Sequence, residues 1–357
     1  MKENGRKVTI KDVAALAGVS KGTVDRVIHN RGEVSEESLR KVLSVIEKMG
    51  YKPNVYASLL ASRKRYRIVC LLPDFEPGGF WEIAHKGVIR AYGECRDFNV
   101  EVEEVRYDQF EVESFRRTCA DTLDNPPDAV LIVPMFREQA TAFTRQLAER
   151  NISFVFIESR LPDTPYLAYY GMPVAQSGYL AASLLLRDRQ AEEVACFRFY
   201  RSGDAVSNTA SVRQEGFLQY LREHRPDCRL EVDYLYPYAC EENTKTLDRF
   251  FAAHPTLRQI VIFNSRAYIV AEYLRERKME GLTLLGFDPL EKNVRSMKEG
   301  YIDFIIAQKC GTQAYRGVKA LCNRFVFKTD PLSRDNYMSM DILTVENVDY
   351  YVDLRTE

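Results

Sequence analysis

The fold of the first part of the chain is decided by residues 8–28, which read VTIKDVAALAGVSKGTVDRVI. Thr9 can cap the free amides of a helix, Asp12 stands at the acidic position of a capping box, and apolar residues recur on one helical face. Gly18 then interrupts the pattern, and Ser20 is a second N-cap ahead of another short apolar face. The stretch therefore predicts two short helices joined by a tight turn.

A third helix is predicted directly after this pair. Ser35 is placed to cap its start, Gly50 to stop it, and apolar residues at helical spacing lie between them. Two short helices braced by a third form a helix-turn-helix, whose second helix fits the major groove of DNA and offers its first residues to base edges. A generic three-helix bundle is the alternative. The residues predicted to face DNA are Lys21, Gly22, Thr23, Asp25 and Arg26.

Charge is distributed unevenly along the chain. Residues 1–67 hold 15 Lys and Arg against 7 Asp and Glu, although the whole chain of 357 residues has a formal net charge of −1. The remainder is therefore acidic. A compact basic segment ahead of an acidic globular body indicates a head that binds a polyanion, with a solvated basic surface as the alternative.

Composition argues against membrane, secreted and metal-binding classes. No window approaches the roughly 18–20 unbroken apolar residues of a membrane span, and no apolar run follows the charged N-terminus as in a secretory signal. The eight cysteines are scattered without a Cys-x-x-Cys pair, and only four histidines accompany them. This pattern is typical of reduced thiols in a cytoplasmic protein. We expect a cytoplasmic chain without a metal site or cofactor.

From residue 67 onward, short apolar runs alternate with amphipathic helical segments. One series extends from Ile68 to Ile157, and a second from about Gln176 to Phe287. Such alternation predicts an α/β fold with parallel sheets covered by helices on both faces. Two series indicate a two-lobed body, and ligands of such folds bind between the lobes at the carboxyl ends of strands.

Polar and aromatic side chains follow several predicted strands and form the candidate ligand site. Carboxylates, amides and an arginine can bind hydroxyl pairs, and an aromatic face can cover the apolar side of a sugar ring. Surface salt bridges, helix caps and a core position for the single tryptophan are the alternatives. A neutral saccharide is the leading expectation, and the charge of the region keeps a phosphorylated or acidic sugar as the alternative. The candidates are Asp74, Phe80, Trp81, Glu158, Arg160, Arg213, Asn264, Asp288 and Gln308.

Residues 8–28, the later run GYKPN at 50–54 and ASLLA at 57–61 resemble the head and hinge of the lactose-repressor family. The resemblance implies a hinge helix that folds only against DNA, with Leu60 wedged into a minor-groove step; an ordinary linker leucine is the alternative. Asp25 departs from the small serine usual in the family, and Gly22 leaves one base-reading position without a side chain. Further DNA contacts are implied for Thr9, Ser20, Asn30, Tyr51, Asn54, Ala57 and Leu60.

Looser phrases in the body are similar to the effector-binding part of the same family, which looks like a periplasmic sugar-binding protein. They include FW at 80–81, RQEGF at 213–217 and LGFD at 285–288. The resemblance implies three chain crossings between the lobes. The expected division is a helix-turn-helix domain at 1–52, a hinge and linker at 53–66, a first lobe at about 67–172 and 305–330, and a second lobe at about 173–303 and 331–357.

The sequence thus predicts a homodimeric, sequence-specific DNA-binding transcriptional regulator, expected to be a repressor. Its expected partners are a double-stranded DNA operator and a small saccharide effector that controls operator affinity, with no membrane association. A solute-binding protein or a sugar-metabolising enzyme of the same body fold is the alternative. The enzyme is disfavoured because the chain has no Gly-x-Ser-x-Gly elbow, no P-loop and no Gly-x-Gly-x-x-Gly after the first strand.

Overall fold

The computed structural model describes residues 8–28, 32, 34–51, 64–187, 191–202 and 208–353. The chain divides into two units, Met1–Arg63 and Lys64–Glu357, which we call the head and the body. Most of the expected hinge and linker, 53–66, lies outside the described residues, and so do the predicted DNA contacts Asn30, Asn54, Ala57 and Leu60.

The head contains three helices, α1 Ile10–Ala17, α2 Lys21–Ile28 and α3 Glu36–Met49. The capping box is formed: the Thr9 backbone N–H donates to the Asp12 carboxylate at 2.8 Å, and the Asp12 N–H donates to Thr9 Oγ1 at 3.4 Å. Gly18 and Gly50 end α1 and α3 in the left-handed conformation, with φ of 65° and 57°. The three helices pack around a small buried core of Val13, Ala14, Ala17, Val24 and Val42.

The body contains two six-stranded sheets, and the predicted α/β class is confirmed. The first sheet has the order β11-β5-β4-β3-β1-β2 with every neighbouring pair parallel. Its strands are β1 Tyr66–Pro73, β2 Val100–Tyr107, β3 Ala129–Ile132, β4 Ser153–Ile157, β5 Ala168–Gly171 and β11 Asp335–Tyr337. The helices of this first lobe are α4 Phe80–Cys95, α5 Val112–Asp124, α6 Arg137–Glu149 and α12 Cys310–Val326, and a short 3-10 turn spans Arg96–Phe98.

The second sheet has the order β12-β10-β9-β8-β6-β7 and is parallel except at its β10–β12 edge. Its strands are β6 Glu193–Phe199, β7 Arg229–Leu235, β8 Gln259–Val261, β9 Thr283–Phe287, β10 Phe304–Ala307 and β12 Asp341–Leu343. The helices of this second lobe are α7 Val174–Leu186, α8 Asn208–His224, α9 Cys240–Ala253, α10 Ala267–Glu276 and α11 Glu291–Lys298, with a 3-10 turn at Val348–Tyr350. Apolar cores lie on both faces of this sheet.

The chain crosses between the lobes three times, but two crossings differ from the expected boundaries. The expected return to the first lobe at 305 is wrong for the strand Phe304–Ala307, because it pairs with β9 in the second sheet. The expected assignment of 331–357 to the second lobe is wrong for Asp335–Tyr337, because this strand pairs with β5 in the first sheet. The crossings therefore lie at 171–174, 307–310 and 337–341.

Candidate DNA-binding and ligand-binding sites

Helix α2 presents a polar face to solvent. Val24 is fully buried and fixes the orientation of the helix against the head core. Lys21, Gly22 and Arg26 are exposed, whereas Thr23 and Asp25 are half-buried. Gly22 and Arg26, four residues apart, share the face opposite Val24, whereas Lys21 lies one turn before Val24, beside the buried face. An exposed outer face on the second helix is the geometry that a groove-reading helix requires.

Three other predicted DNA contacts have structural roles of their own in the head. The Thr9 hydroxyl donates to Asp12 Oδ2 at 2.6 Å, and Ser20 Oγ accepts from the Thr23 N–H at 3.1 Å. Tyr51 is half-buried after α3, and burial, followed by the charge of Asp25, raises the pKa of its hydroxyl. If these side chains contact DNA, they do so in addition to the contacts that they make within the head.

Four of the nine predicted ligand residues meet at the carboxyl ends of strands from both lobes. Glu158 follows β4, Asp288 follows β9, Gln308 follows β10, and Arg213 lies in α8. All four are at most 5% exposed. We call this set the polar network.

Arg213 is the centre of the polar network. Its Nη1 donates to the carbonyl of Phe263 at 2.8 Å, and its Nη2 donates to Gln308 Oε1 at 3.3 Å. The guanidinium also lies over the Phe287 ring, 3.8 Å from the centroid. Its Nε is buried and has no hydrogen-bond partner among the described residues. Burial lowers the pKa of this guanidinium, and the charges of Asp288 and Glu158 oppose that shift.

The two carboxyl groups of the polar network are held in unusual surroundings. Gln308 Nε2 donates to both oxygens of Asp288, at 3.0 and 3.1 Å, and burial raises the pKa of Asp288 to about 7. Burial likewise raises the pKa of Glu158, although Arg213 and a hydrogen bond from the Thr209 hydroxyl act against it. Both residues have positive φ, 63° and 68°, a constraint that clusters at ligand sites.

The structure does not bring the other five predicted ligand residues into the polar network. Asp74 is exposed and accepts from its neighbour Phe75, while Arg160 pairs with Asp335 of β11 at 3.3 Å. Asn264 accepts the backbone N–H of Arg266 at 2.8 Å, just ahead of α10. Phe80 and Trp81 are 9% and 4% exposed, and their rings contact each other edge to face. These two aromatic side chains lie in the core of the first lobe.

Sequence reasoning missed several residues that join the lobes at the cleft. Asn208 donates through Nδ2 to Ser159 Oγ at 3.3 Å, and its backbone N–H donates to the carbonyl of Met135 at 3.2 Å. Thr209 reaches Glu158 across the same gap. Asn208 and Thr209 lie in the first turn of α8, and neither was among the predicted ligand residues. Their polar side chains ahead of an apolar helical face were the signal that could have identified the start of this helix.

A surface pocket of about 500 Å³ lies elsewhere on the second lobe. It is lined by Leu218, Leu221, Arg222, Pro226, Cys228, Arg229, Leu230 and Glu231. These residues surround the end of α8 and the beginning of β7, and none of them belongs to the polar network. Within the described ranges, the structure shows neither a helix able to span a membrane nor a cluster of side chains able to hold a metal ion.

Comparison with known proteins identifies both parts of the chain. The periplasmic binding protein domain family matches residues 68–328, and the family of bacterial regulatory proteins called lacI matches residues 9–54. A crystal structure assigned to a LacI transcriptional regulator from Bacteroides fragilis is 36% identical, covers 81% of this chain and 100% of its own, and superposes with a TM-score of 0.76. This chain belongs to the LacI family.

Curated relatives of this LacI-family chain are regulators. The HTH-type transcriptional regulator DegA of Bacillus subtilis is 28% identical over 79% of this chain and 82% of its own length. The ribose operon repressor of the same organism is 25% identical over 80% of this chain and 82% of its own length. With its helix-turn-helix head and two-lobed body, the LacI-family chain is a sequence-specific DNA-binding transcriptional regulator.

Proposed function

We propose that this regulator is a cytoplasmic homodimeric repressor whose operator affinity is set by a sugar or sugar derivative bound between the lobes of the body. The observation that carries the proposal is the polar network, in which Arg213, Asp288 and Gln308 of one lobe meet Glu158 of the other. A cleft with a few convergent polar groups of perturbed pKa is the usual form of a small-molecule site.

The polar network is suited to hydroxyl-rich ligands. Asp288 and Gln308 offer a carboxylate and an amide side by side, and Arg213 retains a buried Nε–H without a partner among the described residues. Such groups form paired hydrogen bonds with neighbouring hydroxyls. Burial makes each of these bonds matter, because a buried polar group that loses its partner costs about 1–3 kcal/mol.

The polar network also contacts the segments that join the two lobes. Arg213 contacts Met172 Sδ at 3.7 Å and Gln308 Oε1 at 3.3 Å, and these partners lie in the first and second crossings. A ligand that pairs with Arg213 therefore acts on two of the three segments that set how the lobes meet. Such coupling is typically worth about 1–3 kcal/mol in allosteric proteins.

Two heads in a homodimer would read two half-sites, with the spacing set by the symmetry of the bodies. Repression is supported by the relative named a ribose operon repressor, and that name also supports a sugar effector for this chain. Each head would use the exposed face of α2 for base contacts.

The test is a ligand response measured on operator DNA. A duplex is selected from random sequence with the full-length chain, and its Kd is measured by fluorescence anisotropy with and without each member of a panel of sugars and sugar derivatives. Arg213→Ala and Asp288→Asn should abolish the response while unliganded affinity stays nearly unchanged, because the DNA contacts are predicted to lie in the head and the hinge. Arg229→Ala, a matched change at an exposed ion pair of β7, should respond like the wild type. Retention of the full response by both cleft variants would move the ligand site elsewhere.

A further inference from the structure

Two arginines of the second lobe meet one phenylalanine of the first lobe at the cleft. Arg201 follows β6, Arg266 follows β8 directly before α10, and Phe110 follows β2. Both guanidinium carbons lie 4.9 Å from the centroid of the Phe110 ring. All three residues follow the carboxyl ends of strands, as the polar network does. We call Arg201 and Arg266 the guanidinium pair.

Within the described part of the chain, no carboxylate lies at ion-pair distance from either arginine of the guanidinium pair, although Glu158 and Asp108 act on the pKa of Arg201 from further away. Arg266 Nη1 donates to the carbonyl of Pro237 at 3.2 Å. Nη1 of Arg201 is sealed from solvent and has no hydrogen-bond partner among the described residues. Burial, with Arg266 adding to it, lowers the pKa of Arg201 to about 10, so the group is still protonated at neutral pH. Arg201 is therefore a half-buried cation with one sealed N–H group that has no partner among the described residues, and pairing with an anion would satisfy it.

An aromatic wall continues from the pair towards solvent. Tyr238 is 71% exposed, its ring contacts Phe110 edge to face with centroids 5.6 Å apart, and it lies 5.7 Å from the Arg266 guanidinium. An exposed aromatic side chain beside polar groups provides a surface on which a sugar ring can lie. The wall and the pair therefore have the features of a subsite with one charged end.

The guanidinium pair belongs to the same cleft as the polar network. Arg201 and Glu158 are close enough for each to act on the pKa of the other, and Glu158 is the first-lobe member of the polar network. Glu158 forms no ion pair with Arg201 at hydrogen-bond distance, and its carboxylate accepts from the hydroxyl of Thr209. An anion between them would contact Arg201 while its hydroxyl groups face the network.

We propose that the guanidinium pair binds the anionic group of the effector, a carboxylate or phosphate carried by a sugar, while the polar network binds its hydroxyls. This inference rests on the proposed function, because it names the ligand class of the same cleft. The chemistry fits, since arginine forks match the paired oxygens of both anions. Phe110 belongs to the first lobe, so the guanidinium pair lies where the two lobes meet.

The alternative is a structural clamp, in which the two arginines hold Phe110 by cation–π contacts. The two interpretations predict opposite stabilities. If Arg201 is structural, Arg201→Met loses a clamp and lowers Tm. If Arg201 serves to bind an anion, Arg201→Met removes a half-buried charge whose Nη1 has no partner among the described residues, and the Tm of the full chain without anion stays equal or rises.

The experiment measures the Tm of the full-length chain in sodium phosphate and in sodium chloride of equal ionic strength. Phosphate at roughly ten times its Kd should raise the Tm of the wild type by about 3 °C. This gain should vanish in Arg201→Met and in Arg266→Met and persist in Arg229→Met, the matched control at an exposed pair. Equal Tm of the wild type in both salts, a gain that survives in Arg201→Met, or a lower Tm of Arg201→Met in chloride would overturn the proposal.

Sugar probes then distinguish the source of the anion. Stabilisation by glucuronate alone identifies a carboxylate, and stabilisation by glucose 6-phosphate alone identifies a phosphate. Equal or greater stabilisation by glucose contradicts the anion proposal and leaves a cleft ligand, as in the proposed function. A different result is an acidic sugar that raises the Tm in an Arg201-dependent way but leaves the operator Kd unchanged. That result supports the anion site and contradicts the proposed control of DNA binding.

Discussion

Asp288 lies directly after β9 with φ of 63°, a backbone conformation that non-glycine residues adopt only under constraint. Its N–H donates to Ile306, and its carbonyl accepts from Asn293 Nδ2 at 2.8 Å, so bonds on both sides hold it there. Burial raises the pKa of its carboxyl to about 7, with Arg213 acting against the shift. Near neutral pH the carboxyl therefore changes between donor and acceptor, and the charge of the cleft depends on pH.

The titration of Asp288 predicts a specific pH dependence of stability. An unfolded aspartate ionises near pH 3.9, so from about pH 4 to pH 7 unfolding releases this proton and the free energy of unfolding falls as pH rises, by up to ~1.4 kcal/mol per unit. Asp288→Asn has no such proton. Its free energy of unfolding, relative to the wild type, should increase between pH 5 and pH 7.

Urea unfolding followed by the fluorescence of Trp81 measures this difference, because the only tryptophan of the chain lies in the core of the body. Asp349→Asn is the control, since Asp349 is an exposed partner of Lys298. If the free energy of unfolding of Asp288→Asn differs from that of the wild type by the same amount at pH 5 and at pH 7, Asp288 ionises normally in the folded chain.

At the residue level the sequence was informative wherever a polar side chain directly follows a buried strand. Glu158, Asp288 and Gln308 were predicted on that ground. Arg201 offered the same signal after β6 and was overlooked, because its importance depends on Phe110, which lies 91 positions earlier in the chain. Contacts between distant loops are set by how the lobes meet, and no local pattern reports them.

Helices α7 and α8 cross at two glycines. A Cβ at Gly178 would lie 1.8 Å from the carbonyl oxygen of Arg213, and a Cβ at Gly216 would lie 1.8 Å from that of Ala175. The backbones approach this closely only because both side chains are absent. Because Arg213 lies at this contact between α7 and α8, the packing of the two helices fixes its position in the cleft. The polar network therefore depends on that packing.

Replacement of Gly178 by alanine should force α7 and α8 apart. We expect a loss of about 1–3 kcal/mol in the free energy of unfolding from overpacking. Gly93→Ala is the matched control, since Gly93 lies in helix α4 with open space around it and should gain up to about 1 kcal/mol from helix propensity. Urea unfolding by far-UV circular dichroism compares the two, and equal stability of both variants would refute the close crossing.

Helix α2 predicts the effect of Arg26 on DNA binding. Arg26→Ala should weaken operator binding by about 1–3 kcal/mol, because an exposed arginine on a groove-facing helix pairs with base edges. Arg40→Ala removes another exposed arginine, which lies in α3 and pairs with Glu36, and it should leave affinity nearly unchanged. If a folded Arg26→Ala chain binds with wild-type affinity, α2 is not the reading helix.

The elements that the sequence predicted well have strong local patterns. The three helices of the head begin after Thr9, Ser20 and Ser35, the caps that the sequence predicted. The strands β11 and β12 were missed because each has three residues, with polar side chains at Asp335, Asn336 and Asp341. Their place in the sheets is set by pairing with β5 and β10, which is a non-local choice.

For the whole molecule, the three crossings are the segments through which the lobes can change their relation. The tail joins them: the Asp353 carboxylate accepts the N–H groups of Gly311 and Thr312, at 2.7 and 3.1 Å, at the start of α12. Tyr351 packs against the second-lobe core and accepts at its hydroxyl from the Lys309 N–H, at 3.2 Å. The second crossing is thus held by the tail and, through Gln308, by Arg213.

The two-lobed architecture followed from sequence because each lobe repeats the same alternation of strand and helix. The lobe to which each later segment of the chain belongs could not be predicted. Phe304–Ala307 has the pattern of a buried strand, which either sheet could accept. Pairing with β9 decides the matter in the folded chain. The expectation that placed 305–330 in the first lobe was correct only for α12, which packs through Gly317 against Leu131 and Val155.

The central claim is that ligand in the cleft and operator on the head act on one equilibrium, and thermodynamic reciprocity tests it directly. The Kd of the effector is measured by isothermal titration calorimetry with the full-length chain, alone and saturated with the selected duplex, and compared with the change in operator Kd that the effector causes. The account predicts equal factors, in a coupled system commonly about 5–150-fold. An effector Kd that is unchanged by saturating duplex would contradict it.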